Sequence, residues 1–227
     1  MVQRDYILRL IEQLGPISGA LIRSAELRKG HQYREAGKTV EEALRRYFGL
    51  SVGAARERSA EELIGMVRLG WSPYAGREAL GEKLTLLAAL LGEQADLDGA
   101  QGNQDDATYG RIKALQIALT VLIEDDASSE RAAEAIAPLL AQLAGYDLPP
   151  QVKALLWQRD EQLGAFAGAE DWLFALLDDD PGALESGIAF YERLSHHTDA
   201  DLARGNLPRD EVAAGLAELR ARRGRDR

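Results

Sequence analysis

Three features of this 227-residue sequence predict an all-α fold built from antiparallel helical hairpins. Apolar residues recur with a period near 3.6 over almost the whole chain, and helix-capping signals bound the periodic stretches. Ala, Leu, Glu and Arg dominate the composition, and these residues lose least on entering a helix. No strand-like alternation of useful length competes.

In chain order, Tyr6, Leu10, Leu14, Ile17 and Leu21 form the first apolar stripe, with Gly15-Pro16 in its middle predicting a kink or brief interruption. Gly37-Lys38-Thr39 has the ending of a phosphate-binding loop. Gly30 and Gly37 enclose six residues rather than four, however, and no strand pattern precedes them. The segment reads instead as a helix interruption, with Thr39-x-x-Glu42 capping the next helical stretch. Ser59-x-x-Glu62 is a capping box that opens a helix over about 60–69, and Ser72-Pro73 places a cap before a proline. Leu80, Leu84, Leu87 and Leu91 mark a helix over about 80–100. After Gly102-Asn103, Ile112, Leu115, Leu119 and Leu122 mark another over about 104–125, closed by Glu124-Asp125-Asp126-Ala127-Ser128. A helix over about 129–144 contains Pro138, which predicts a bend. Asp147-Leu148-Pro149 opens a helix over about 151–165, and others follow near 167–178, 183–197 and 209–222. Connections are mostly short, so successive helices are expected to pack antiparallel.

Small residues recur where the two helices of a hairpin would touch. Ala36, Ala107 and Ala169 stand early in second helices. Seven residues on come Ala43, Ala114 and Leu176, and twelve residues before the anchors come Ser24, Ala95 and Trp157. Turns at Lys29-Gly30-His31, Gln101-Gly102-Asn103 and Leu163-Gly164-Ala165 separate the halves. Small side chains there let paired helices approach closely, which is the physical basis of tetratricopeptide hairpins. Because the anchors are unevenly spaced, the pattern predicts an irregular tetratricopeptide-like solenoid, with a helical bundle as the alternative. Residues 1–222 are expected to form one helical domain and residues 223–227 a disordered basic tail lacking apolar content.

The opening QRDYILRLIEQLG, the LRKG turn at 27–30 and VEEALRRYFGL at 40–50 resemble a bacterial family of unknown function described as tetratricopeptide-like. GIAFYERL at 187–194 and NLPRDEVAAGLAEL at 206–219 resemble it too. The resemblance implies a helical-repeat fold in a bacterial cytoplasm and brings no catalytic or binding residue with it.

The chain has no cysteine, so neither a disulfide framework nor a thiolate metal site is possible. Arg4, Asp5, Arg9 and Glu12 interrupt the apolar N-terminus, unlike the uncharged run of a secretory signal, and no apolar run approaches the ~20 residues of a membrane span. A cytoplasmic protein is expected. Net charge is −10 and segmented: +4 over residues 1–77, −18 over 78–219 and +4 over the last eight. That balance argues against nucleic acid as a ligand and favours a basic one.

Glu192, His196 and Asp199, spaced i, i+4, i+7, would share a face of one continuous helix and could ligate a divalent metal. Against this, His196-His197 suits a helix C-terminus, and Thr198 reads as the cap of a short next helix that would turn Asp199 away. The acidic runs Glu124-Asp125-Asp126 and Asp178-Asp179-Asp180 lack the spacing of a calcium loop and read as solvated helix ends. Trp71, Trp157, Trp172, Phe166, Phe174 and Tyr191 read mostly as core. No nucleophile–base signature is present, and no cofactor is expected. The function expected is that of an adaptor binding another protein or peptide, with a homo-oligomeric scaffold or a metal- or carboxylate-dependent enzyme as alternatives.

Overall fold

The computed structural model describes residues 2–71, 77–124 and 129–225, which hold twelve α-helices, a 3₁₀ turn at Pro181–Ala183 and no strand. The fold is all-α. The Ser72-Pro73 cap, the helix end at 125–128, the last two tail residues and the side chains of Tyr6 and Leu10 lie outside the described residues. Although the sequence reading treats 1–222 as one domain, the structure has two compact units, Met1–Tyr146 and Asp147–Arg227.

The first unit contains α1 (Val2–Lys29), α2 (Tyr33–Phe48), α3 (Val52–Glu57), α4 (Ala60–Leu69), α5 (Arg77–Ala100), α6 (Gln104–Glu124) and α7 (Ser129–Gln142). Helix α5 is central because most of its length is buried: Leu84, Leu86, Leu87, Ala88, Leu90, Leu91, Ala95 and Leu97 are all in the core. It packs against α1, α2 and α6, and α6 packs in turn against α4 and α7. The α5–α6 hairpin turns at Gly102, whose φ of +87° an L side chain rarely adopts. Its helices cross where Gly110 meets Ala95 and Gly99 meets Ala107, a pairing that runs antiparallel.

A partly buried ion network ties three of these helices together. Arg28 of α1 grips Glu93 of α5 through two bonds of 3.1 and 3.0 Å and also reaches Asp96 at 3.1 Å. Ser24 donates to Glu93 at 3.0 Å, and Arg111 of α6 pairs with Asp96 at 3.2 Å.

Helix α1 continues through Pro16, so of the kink or interruption expected there the interruption does not occur, and the interruption expected at Gly37 fails because α2 continues through it. Thr39 does not cap a new helix; its hydroxyl bonds back to the Glu35 carbonyl at 3.0 Å. The buried stripe Ala36, Val40, Ala43 and Leu44 carries α2 across the glycine, because packing outweighs a propensity cost of ~1 kcal/mol. At the first hairpin turn the left-handed residue is His31 (φ +59°) rather than Gly30, with its ring Nδ1 2.7 Å from the Tyr33 hydroxyl.

The second unit contains α8 (Pro150–Gln162), α9 (Phe166–Asp179), α10 (Leu184–Ser195), α11 (Asp199–Arg204) and α12 (Arg209–Arg225). Its core joins Phe166, Leu173, Ile188, Phe190, Tyr191, Leu194, Leu202, Leu207 and Leu219. Helix α8 packs on α9, and α10 on α12. Gly164 (φ +71°) makes the α8–α9 turn, and the backbone of Gly205, at the end of α11, closes over it by accepting a 3.0 Å bond from Ala167 N–H. The Ser59–Glu62 and Thr198–Asp201 capping boxes both form. Helix α12 runs to Arg225, so residues 223–225 of the expected tail are helical, and Arg223 reaches Glu185 at 3.3 Å.

Candidate functional site

Within the second unit, α8 and α10 border a groove of about 680 Å³. Ala154, Trp157, Gln158, Glu161 and Gln162 line it from α8, at the i, i+3, i+4, i+7, i+8 positions that place them on one helix face. Ser186, Ala189 and Arg193 line it from α10, and His197 stands just beyond that helix. Arg193 donates to both oxygens of Glu161 at 2.7 Å, so the groove's fixed charges cancel across it. His197 is braced edge-on against Phe166, with ring centres 5.0 Å apart.

Trp157 sets this groove apart. Its ring stands edge-on against the fully buried Phe190, with centroids 5.7 Å apart and planes at 83°. The indole N–H is shielded from water and has no hydrogen-bond acceptor. Among the described residues it is the one buried side-chain polar atom without a partner. Such an orphan costs roughly 1–3 kcal/mol, so it calls for an explanation.

Beneath the same helices lies a site that sequence reasoning did not identify. The Tyr191 hydroxyl donates to Glu170 Oε1 at 2.5 Å, and the ring is covered by the bare backbone of Gly215 on α12. Burial, then Glu211, Asp171 and Glu218, hold the Glu170 carboxyl above its usual range against the opposing pull of the Tyr191 bond. Burial and the Glu170 charge together push the Tyr191 phenol strongly upward.

The chain belongs to the family of unknown function DUF6483. The family model matches residues 1–224, and membership specifies neither a repeat type nor a biological source. No curated protein and no solved structure gives a significant match. No helix in the described residues of this DUF6483 member is long and apolar enough to cross a membrane.

The expected metal ligands are not brought together. Helix α10 ends at Ser195 with His196 as its C-cap, and Thr198 caps α11. Glu192 pairs with Arg220 at 2.8 Å, while Asp199 pairs with Arg209. Among the described residues no three His, Asp or Glu side chains gather as a metal site. Ala36, Ala43, Ala95, Ala107, Ala114 and Ala169 are all buried. Ala36 lies opposite Ser24 across the first hairpin, its carbonyl 3.4 Å from the Ser24 hydroxyl. Ala95 meets Gly110 rather than Ala107, which faces Gly99.

The acidic helix ends are engaged within the chain. Asp179 pairs with Lys153 at 2.5 Å, Asp180 accepts from Gly182 N–H at 2.9 Å, and Glu124 pairs with Arg68. Of the six aromatics, Phe166 and Tyr191 are buried, whereas the other four are half-buried.

Proposed function

We propose that this protein is a peptide-binding module that holds an extended segment of another protein in the α8–α10 groove. The observation that carries the reading is Trp157, which lines a groove large enough to admit a chain while its buried indole N–H has no acceptor within the protein. A peptide carbonyl would satisfy it once the Trp157 side chain turns to present its N–H to the groove. Gln158 and Gln162, each with amide donors and an acceptor, are suited to the N–H and C=O pattern of an extended backbone. The α8 stripe from Ala154 to Gln162 spans ~12 Å at 1.5 Å per residue, the length of about four extended residues. Two helices of successive hairpins lining one groove is also how helical-repeat proteins hold ligands. The second unit carries ten Lys/Arg against sixteen Asp/Glu, so basic residues flanking the bound segment would be drawn to it.

The test is selection of peptides from a random library on the full chain, followed by retesting on Trp157→Phe. That substitution keeps an aromatic ring against Phe190 and removes the donor together with part of the ring's area. The proposal expects a loss of affinity of about tenfold, the worth of one hydrogen bond near 1.4 kcal/mol. Selected peptides that bind the variant equally well, or a library that yields none, would overturn it.

A further inference from the structure

A second cavity, in the first unit, has a different chemistry. It measures about 220 Å³, about a third of the groove of the second unit, and so suits a small metabolite rather than a chain. Its lining comes from four helices, and the lining is divided. Leu44, Val52, Ala55, Leu91 and Ala95 form an apolar wall. The bare backbone of Gly110 completes the floor, where an added Cβ would stand 2.9 Å from the Cβ of Ala95.

The rest of the lining is charged and balanced. Arg56 of α3 bonds Asp98 Oδ1 at 2.6 Å and stands 3.5 Å from Asp106 of α6. Gln94 donates to the same Asp98 oxygen at 3.0 Å, so both partners converge on Oδ1 of a carboxylate that is only 4% exposed. Lys113 donates to the carbonyls of Ala55, at 3.0 Å, and Arg56 at the end of α3. An ammonium has three donors, which leaves one beyond these two. Burial, and next to it the Arg56 charge, lowers the Lys113 pKa, while Glu62 opposes them.

Two cations and two carboxylates leave this part of the lining with no net charge, which disfavours a simple anion, a simple cation or a purely apolar guest. A ligand carrying both charges one carbon apart, with an apolar side chain, satisfies every part of this lining. We propose that the cavity binds a free aliphatic α-amino acid. Its carboxylate meets Arg56 and Lys113, its ammonium meets Asp106, and its side chain lies against Leu44 and Leu91. The loose Arg56–Asp106 contact is the one exchanged for the ligand's two charges, while the tighter Arg56–Asp98 bond stays. This site is independent of the peptide groove and stands or falls separately from it.

Calorimetric titration and thermal shift of the full chain test the assignment, with L-leucine and L-valine as probes. The controls are 4-methylpentanoate, which lacks the ammonium, and isoamylamine, which lacks the carboxylate. Saturable binding of at least one amino acid, with a loss of tenfold or more for both controls, is expected. Asp106→Asn, at an exposed rim position, should weaken the amino acid tenfold or more while the free protein stays folded, losing only the small stability of its Arg56 contact and of an acid in the first turn of α6. No binding at millimolar amino acid overturns the proposal. So does equal binding of either control, or undiminished binding by the folded variant.

Discussion

Tyr191 is fixed on every side: its ring lies under Gly215 and against Phe190, and its hydroxyl lies on Glu170. A methyl group at position 215 would run into that ring, so Gly215→Ala should cost ~1–3 kcal/mol by overpacking, measured by urea denaturation. Glu170 gives a pH dependence whose sign follows from its raised pKa. Folding favours the protonated acid, so its contribution is present below the ordinary value of 4.5 and is lost as pH rises through the higher folded value. Glu170→Gln keeps an acceptor for Tyr191 and cannot ionise. The variant should therefore be more stable than the parent at pH 7, with the difference shrinking toward pH 4 in parallel melts. An equal difference at both values would contradict the origin assigned to the shift. Sequence alone shows Tyr191 as a core aromatic and Glu170 as one acid among many. Their meeting depends on how α9, α10 and α12 pack. The Trp157 orphan was hidden for the same reason, since its ring reads as core and only tertiary packing decides whether its N–H finds an acceptor.

Helix ends were legible because a cap is a local device. Ser59 accepts from Glu62 N–H at 3.2 Å, and the Glu62 carboxylate accepts from Ser59 N–H at 2.8 Å, at the spacing the sequence displays. Ser59→Ala should cost about 1 kcal/mol in thermal or chemical unfolding. Thr198 reads correctly by the same logic, and its cap is what separates Asp199 from Glu192 and His196. Thr39 shows the limit of the method, because the same residue type bonds backward within a helix when flanking packing holds the helix together. Hairpin contacts were legible as positions rather than as pairs. Small residues mark a crossing, but the register between α5 and α6 is set by the whole interface. Ala107, fully buried and facing Gly99, and Ala169, fully buried in α9, leave no room for growth. Leu at either position should lower stability by ~1–3 kcal/mol. Unchanged melting temperatures in both variants would mean that these residues do not sit at tight crossings.

Across the chain, the all-α character was plain from periodicity, whereas the division at Tyr146–Asp147 was not. Composition does not change there, and the acidic stretch from 78 to 219 runs through it. The two units carry net charges of −4 and −6, so the polarity apparent along the sequence does not divide them. The turn leading to the boundary holds Gly145 at φ +86° and an exposed Tyr146. Brief chymotrypsin treatment should cut after Tyr146 before it cuts within the helices, as mass spectrometry of the first fragments would show. The peptide-binding reading rests on a single donor, and that donor can be observed directly. With three tryptophans, a ¹⁵N-labelled sample should give three indole N–H resonances, and Trp157→Phe assigns one of them. Titrating a selected peptide should shift the Trp157 indole signal downfield as its N–H gains an acceptor, while Trp71 and Trp172 move far less. A bound peptide that leaves the Trp157 resonance in place would contradict the account.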